Sequence, residues 1–285
     1  MVSASNTRPN ITFIGGGNMA EAILGGLFAS GHPGDRLRYS EPFEERRKYM
    51  QGKYPEITSE TDNIKAIDGA DVIVFAVKPQ VLRTVVDNLS PAFRKNPSPL
   101  IISIVAGITT SDIVRWINSS ESISLVRCMP NTPALLGEGA VGLYANDQVN
   151  SSQRATAESI LSAVSKQVSW VDRESLIDSV TGLSGSGPAY FFLVMEAMQN
   201  AGIAMGLSSE DAKALTVQTC IGAARMALES EDDLATLRRK VTSPNGTTEA
   251  AVKSLEANNI RQTIMDGVLA AEHRSRELAA EMGKD

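Results

Sequence analysis

Ile11-Thr12-Phe13-Ile14-Gly15-Gly16-Gly17-Asn18-Met19-Ala20 is the stretch that decides the fold. Four residues of strand character run into three glycines. Beyond them Ala20, Ile23, Leu24, Leu27 and Phe28 recur at helical spacing on one face. The run fits G-x-G-x-x-G/A in its required context, with a strand before it and an amphipathic helix after it. Gly15 permits the tight turn. Gly17 lets the backbone approach a pyrophosphate that a Cβ would block, and Ala20 keeps the helix close to the sheet. The free N–H groups around Gly16, Asn18 and Met19 and the positive end of the helix dipole then suit an anion.

Outward from this loop, short β-rich runs alternate with helical stretches. Strand character is read at 37–40, 72–77, 100–105 and 122–129, with helices at 81–89 and 111–117. Val72-Ile73-Val74-Phe75-Ala76-Val77 is apolar throughout, as a strand covered on both sheet faces should be. Two later edge strands are expected at 141–145 and 168–171, with a helix between them. After about Asp172 strand signals vanish, and helices are expected at about 188–203, 208–229, 248–257 and 260–281. The pattern implies an α/β Rossmann domain with a doubly wound, mostly parallel sheet over 1–172, and an all-α domain over 173–285.

Composition narrows the function classes. The chain has 285 residues, 42% of them hydrophobic, which is ample for a core without disulfide or metal staples. A net charge of −6 gives no basic footprint for nucleic acid. Cys128 and Cys220 provide neither a disulfide framework nor a CxxC metal site, and His32 and His273 argue against a His-rich metal centre. No run of 18 apolar residues suggests a membrane span, and 1–10 lack the apolar core of a secretory signal. A cytoplasmic enzyme or binding protein is the expectation.

Several strand ends should meet the dinucleotide. Tyr39-Ser40-Glu41-Pro42 ends the second strand, where Glu41 would suit the ribose of NADH. Arg46 and Arg47 would instead suit the 2′-phosphate of NADPH, and the choice stays open. Ala76-Val77-Lys78-Pro79 ends the apolar strand, and Ala106-Gly107 follows the next. Met129-Pro130-Asn131-Thr132-Pro133 is a stiff turn at another such end, where Asn131 and Thr132 offer polar contacts. Farther on, Ser243-Pro244-Asn245-Gly246-Thr247-Thr248 precedes a helical pattern. The N–H groups of Gly246, Thr247 and Thr248 and the hydroxyl of Ser243 should face an anion there, and a carboxylate suits the nest.

These segments together resemble the pyrroline-5-carboxylate reductase family. The similarity runs from the glycine loop through Ala76-Val77-Lys78-Pro79-Gln80, Arg127-Cys128-Met129-Pro130-Asn131-Thr132-Pro133 and Thr181-Gly182-Leu183-Ser184-Gly185-Ser186-Gly187-Pro188-Ala189-Tyr190 to 241–248. The resemblance implies reduction of 1-pyrroline-5-carboxylate to L-proline by NADPH or NADH, the last step of proline biosynthesis. It also implies a helical dimerisation domain, a homodimer or higher homo-oligomer, and an active site near the interface. By the same resemblance Ser40, Asn63 and Ala76 to Pro79 contact the cofactor, and Glu174 lies near the site. The 243–248 loop would hold the substrate carboxylate, and Thr248 would contact the ring nitrogen. Asn245 stands where the family usually has glycine, and Asn tolerates the left-handed backbone better than most residues.

Two rivals remain. A β-hydroxyacid dehydrogenase would resemble the chain at Gly182 to Gly187, but that family needs a lysine where Phe191 stands. A dinucleotide-sensing protein without turnover would keep the glycine loop and have no use for the second anion nest.

Overall fold

The computed structural model describes residues 8–93, 99–118 and 122–283. Among these, eight strands form one sheet: β1 (Ile11–Ile14), β2 (Leu37–Ser40), β3 (Thr58–Glu60), β4 (Val72–Phe75), β5 (Leu100–Ser103), β6 (Leu125–Met129), β7 (Gly139–Ala145) and β8 (Ser165–Trp170). Their order is β3-β2-β1-β4-β5-β6-β7-β8. Neighbours run parallel except β6 and β7, which are antiparallel. A short connection through the 3-10 turn Thr132–Leu136 enforces that reversal, because a parallel crossover needs about a dozen residues or more.

The helices of this part are α1 (Asn18–Ala29), α2 (Glu44–Lys53), α3 (Asn63–Ala66), α4 (Pro79–Phe93), α5 (Thr110–Ile117), α6 (Ser151–Ser162) and α7 (Leu176–Val180). The central strands divide their side chains between two apolar layers, following the two-residue period of a strand. Ile11, Phe13, Val72 and Val74 pack in one layer with Leu24 of α1 and Leu161 of α6. Ile14, Ile73 and Phe75 pack in the other with Leu82 and Val86 of α4 and Ile113 of α5. Thr12 is buried among them, and its hydroxyl donates to the Ala66 carbonyl at 2.9 Å, so that hydroxyl is not stranded.

The C-terminal helices are α8 (Gly187–Ala204), α9 (Ser209–Glu229), α10 (Leu234–Lys240), α11 (Thr247–Ala257) and α12 (Ile260–Met282). Contacts divide the chain into two compact units. One runs to Ser186 and resumes at Ala270, and the other is Gly187–Leu269. Within the second unit α8 turns back through Gly206 and Leu207 into α9. Ser208 caps α9 by accepting the Asp211 N–H at 3.0 Å. Gly202 lets the two helices close up, since a Cβ there would meet that of Ala212 at 3.1 Å.

The helices α2 and α3 lie outside the sequence reading, and so do three further elements. β3 is polar and half-exposed, so it shows no alternation. α10 buries none of its residues and follows an acidic run that reads as solvated chain; Asp233 of that run caps it through the Thr236 N–H at 2.7 Å. The third is α7 with the wide π turn Thr181–Gly185 that continues it.

Candidate active site

A cleft opens at the carboxyl ends of β1, β2 and β4. Gly15 leaves β1 with φ +104°, and a Cβ there would come within 2.7 Å of the Ala76 carbonyl oxygen. Only glycine suits that turn. Its N–H donates to the Ser40 carbonyl at 3.0 Å, and the Ala76 N–H donates to the Ile14 carbonyl at 2.9 Å. The three strand ends are thereby fixed to one another. Gly17 precedes α1 with φ −66° and ψ 177°, and no side chain caps the helix. A Cβ on Gly17 would meet nothing within 4 Å. The amides of Asn18 and Met19 therefore lack intrahelical acceptors beside open space, which fits a pyrophosphate.

Gly15, Gly17, Ser40, Asn63, Ala76, Val77 and Lys78 line one cleft of about 690 Å³, joined by Glu41, Pro42, Phe43, Val81 and Val85. Pro79 opens α4, where a residue without an N–H is at home. Ser40 Oγ donates to Asn63 Oδ1 at 2.7 Å, which leaves the Asn63 amino group for another acceptor. Exposed Phe43 and Val81 supply apolar surface of the kind an adenine ring covers. The residues present thus fit a dinucleotide.

The acidic and basic residues after β2 are engaged differently from the sequence expectation. Glu41 is buried, with Oε2 accepting the Gly16 N–H at 3.0 Å and Oε1 the Phe43 N–H at 3.0 Å. Gly16 therefore gives its amide to the protein, and its carbonyl takes Arg46 Nε at 2.6 Å. Arg46 Nη2 also donates to Glu21 at 2.6 Å, and Arg47 turns onto the Glu41 and Pro42 carbonyls at 2.7 and 2.9 Å. Burial pushes the Glu21 carboxyl upward, but hydrogen bonds from Lys53 and Arg46 prevail and hold it below the usual carboxylate range.

Glu174 is absent from the cleft lining. Its carboxylate accepts the Thr110 N–H at 2.6 Å and the Thr110 hydroxyl at 2.7 Å, capping α5, and it takes Arg127 Nη1 at 3.3 Å. Arg127 is buried on β6 and reaches Asp178 Oδ1 at 3.6 Å; Ser275 Oγ donates to that same oxygen at 2.8 Å. Ala106 lies exposed just past β5, four residues before Thr110. Beyond the resemblance that singles out Glu174, the polar frame of Arg127, Glu174 and Asp178 is signalled in sequence only by an arginine inside an apolar strand.

In the helical unit, Asn245 adopts φ +59°, the left-handed backbone expected of it. The Gly246 N–H, expected to face an anion, instead donates to the Ser243 carbonyl at 3.0 Å, because the left-handed turn folds it back. Glu249 Oε2 accepts the Asn245 N–H at 2.9 Å, which, aided by Lys253, lowers the Glu249 pKa. No side chain caps α11, so the Thr247 and Thr248 amides have no intrahelical acceptor. Ser243, Thr247 and Thr248 are exposed.

Sheet order, glycine loop and cleft define a Rossmann-type oxidoreductase fold carrying a separate helical unit. Residues 174–278 match the model for pyrroline-5-carboxylate reductase dimerisation, and residues 10–107 that for NADP oxidoreductase, coenzyme F420-dependent. The chain is 50% identical to the pyrroline-5-carboxylate reductase of Pseudomonas aeruginosa over 98% of its own length and 100% of the relative's. The structure of a pyrroline-5-carboxylate reductase from Coxiella burnetii superposes with a TM-score of 0.89 at 43% identity, covering 96% of this chain and 99% of that one. The Plasmodium falciparum pyrroline carboxylate reductase with NADP bound gives 0.84 at 30% identity over 96% and 99%. The chain belongs to the pyrroline-5-carboxylate reductase family.

Proposed function

We infer that this protein reduces 1-pyrroline-5-carboxylate to L-proline with NADPH or NADH. Kinship over nearly the whole length, at 50% identity, carries the reading. When bound, the reduced nicotinamide supplies the hydride that saturates the C=N bond. The chain's own residues have a modest chemical task. A cyclic imine takes up a proton in water or on binding, so no strong general acid is needed, and scarce histidine is no obstacle. What remains is orientation and electrostatics.

The geometry above and the family resemblance together support the following roles. Gly15 shapes the loop, and the amides of Gly17, Asn18 and Met19 serve the pyrophosphate. Ser40 and Asn63 act together at the adenosine end, and Ala76 to Lys78 border the nicotinamide half with Ala106 beyond them. The turn at 243–248 takes the substrate carboxylate through the Thr247 and Thr248 amides and the Ser243 hydroxyl, with Gly246 shaping the turn. The Thr248 hydroxyl holds the ring nitrogen. Self-association of the helical unit covers its exposed Phe191, Phe192, Leu193 and Leu228, an apolar surface unusual on a lone soluble chain.

The test is the loss of NADPH absorbance with 1-pyrroline-5-carboxylate, repeated with Thr248→Ala. Wild type forms proline. The variant should keep its fold and lose roughly tenfold or more in kcat/KM, the cost of about one hydrogen bond to a charged group. Wild-type kinetics in the variant would remove Thr248 from the mechanism.

A further inference from the structure

At the end of β6 the chain turns through Pro130 and Asn131. Asn131 is buried, and both ends of its carboxamide are engaged. Oδ1 accepts the Ala140 N–H at 2.9 Å, and Nδ2 donates to the Ser184 carbonyl at 3.1 Å. One side chain thus joins the end of β6, the start of β7 and the π turn Thr181–Gly185.

That turn is wide: the Ser186 N–H reaches back five residues to the Thr181 carbonyl at 2.9 Å. Widening disturbs the usual helical pairing, and the Asn131 amide supplies a donor to one of the carbonyls involved. The packing admits little movement. A Cβ on Gly185 would stand 2.7 Å from Met129 Cε, and one on Gly142 would stand 2.6 Å from Val180 Cγ2. Single π turns are frequent at functional sites, and such irregular backbone persists where its surroundings over-determine it.

Strand order shows what the turn borders. The glycine loop tops β1, Ala76 to Lys78 top β4, Ala106 tops β5 and Asn131 tops β6. Neighbouring strands are about 4.8 Å apart, so the β6 end lies about 14 Å along the crest from the glycine loop. The reacting end of a dinucleotide held at Gly15 to Gly17 has to come to these later strand ends.

We propose that Asn131 is a positioning residue for hydride transfer, fixing the π turn as a wall that orients the ring substrate. It rests on the reductase reading above. Because both ends of the side chain are bound within the protein, it acts through the turn and not by touching substrate.

Asn131→Asp and Asn131→Ala test it in the full chain. Aspartate keeps the acceptor for Ala140 and sets an oxygen against the Ser184 carbonyl. Both variants should slow single-turnover oxidation of bound NADPH by 1-pyrroline-5-carboxylate about 100-fold, as a displacement near 1 Å can do. NADPH affinity, read by fluorescence titration, should stay within about twofold, since the phosphate loop is remote. A role in folding alone would lower the amplitude and leave the rate unchanged, which would overturn the proposal. So would a wild-type rate in Asn131→Asp. A wild type that does not turn over this substrate would overturn the reductase reading, and the proposal with it.

Discussion

Gly17→Ala separates the phosphate loop's ligand from its fold. The residue has φ −66° and ψ 177°, which any L-amino acid adopts, and an added methyl would meet no protein atom within 4 Å. Folding stability should hold or rise by about 0.4–1 kcal/mol, because alanine narrows the unfolded ensemble. The same methyl stands where the pyrophosphate is proposed to approach. Displacing the phosphates by the width of a methyl breaks at least one charge-assisted hydrogen bond, worth about 1.5–3 kcal/mol, or roughly 10- to 150-fold in Kd. Gly15→Ala differs, since its Cβ would overlap the Ala76 carbonyl at φ +104°, and the fold itself should weaken. Thermal melts and NADPH fluorescence titrations of both variants read the two effects apart. Unchanged NADPH affinity in Gly17→Ala would refute the placement of the pyrophosphate at this loop.

Two further outcomes concern buried charge. Glu174→Ala should cost roughly 1.5–3 kcal/mol, read as a fall in urea midpoint, because buried Arg127 keeps only Asp178 and the Thr110 N–H and hydroxyl lose their acceptor, while the Thr109–Asp112 capping box of α5 remains; NADPH affinity should stay within about twofold. For Glu21, the folded pKa lies below the ordinary 4.5, so its ion pairs stabilise the protein above that value and are lost as pH falls through the folded pKa. Glu21→Gln should therefore flatten the decline of the urea midpoint between about pH 5 and pH 3, and an unchanged slope would assign that decline to other carboxyls.

The Rossmann half was legible because β1, β4 and β5 are apolar on both faces and Gly15 to Ala20 have one physical use. β3 was not, since Thr58, Ser59 and Glu60 are polar and pair with β2 at an edge of the sheet. The adenosine end shows a different limit. A carboxylate after β2 is visible in sequence, but whether it faces a ribose or turns onto Gly16 depends on a side-chain rotation. At a strand end Asn131 has the chemistry of a polar contact for a ligand, while the structure turns it inward to Ala140 and Ser184. The left-handed turn at Asn245 was legible from residue type, but its effect on the Gly246 amide was not.

The most direct measurement uses NADPH dideuterated at nicotinamide C4, with 1-pyrroline-5-carboxylate and the purified full chain, and mass analysis of the product. Proline carrying one deuterium, on the ring carbon beside nitrogen that bears no carboxylate, is the expected result. Unlabelled proline, or oxidation of NADPH without proline, would contradict direct hydride transfer to the C=N carbon.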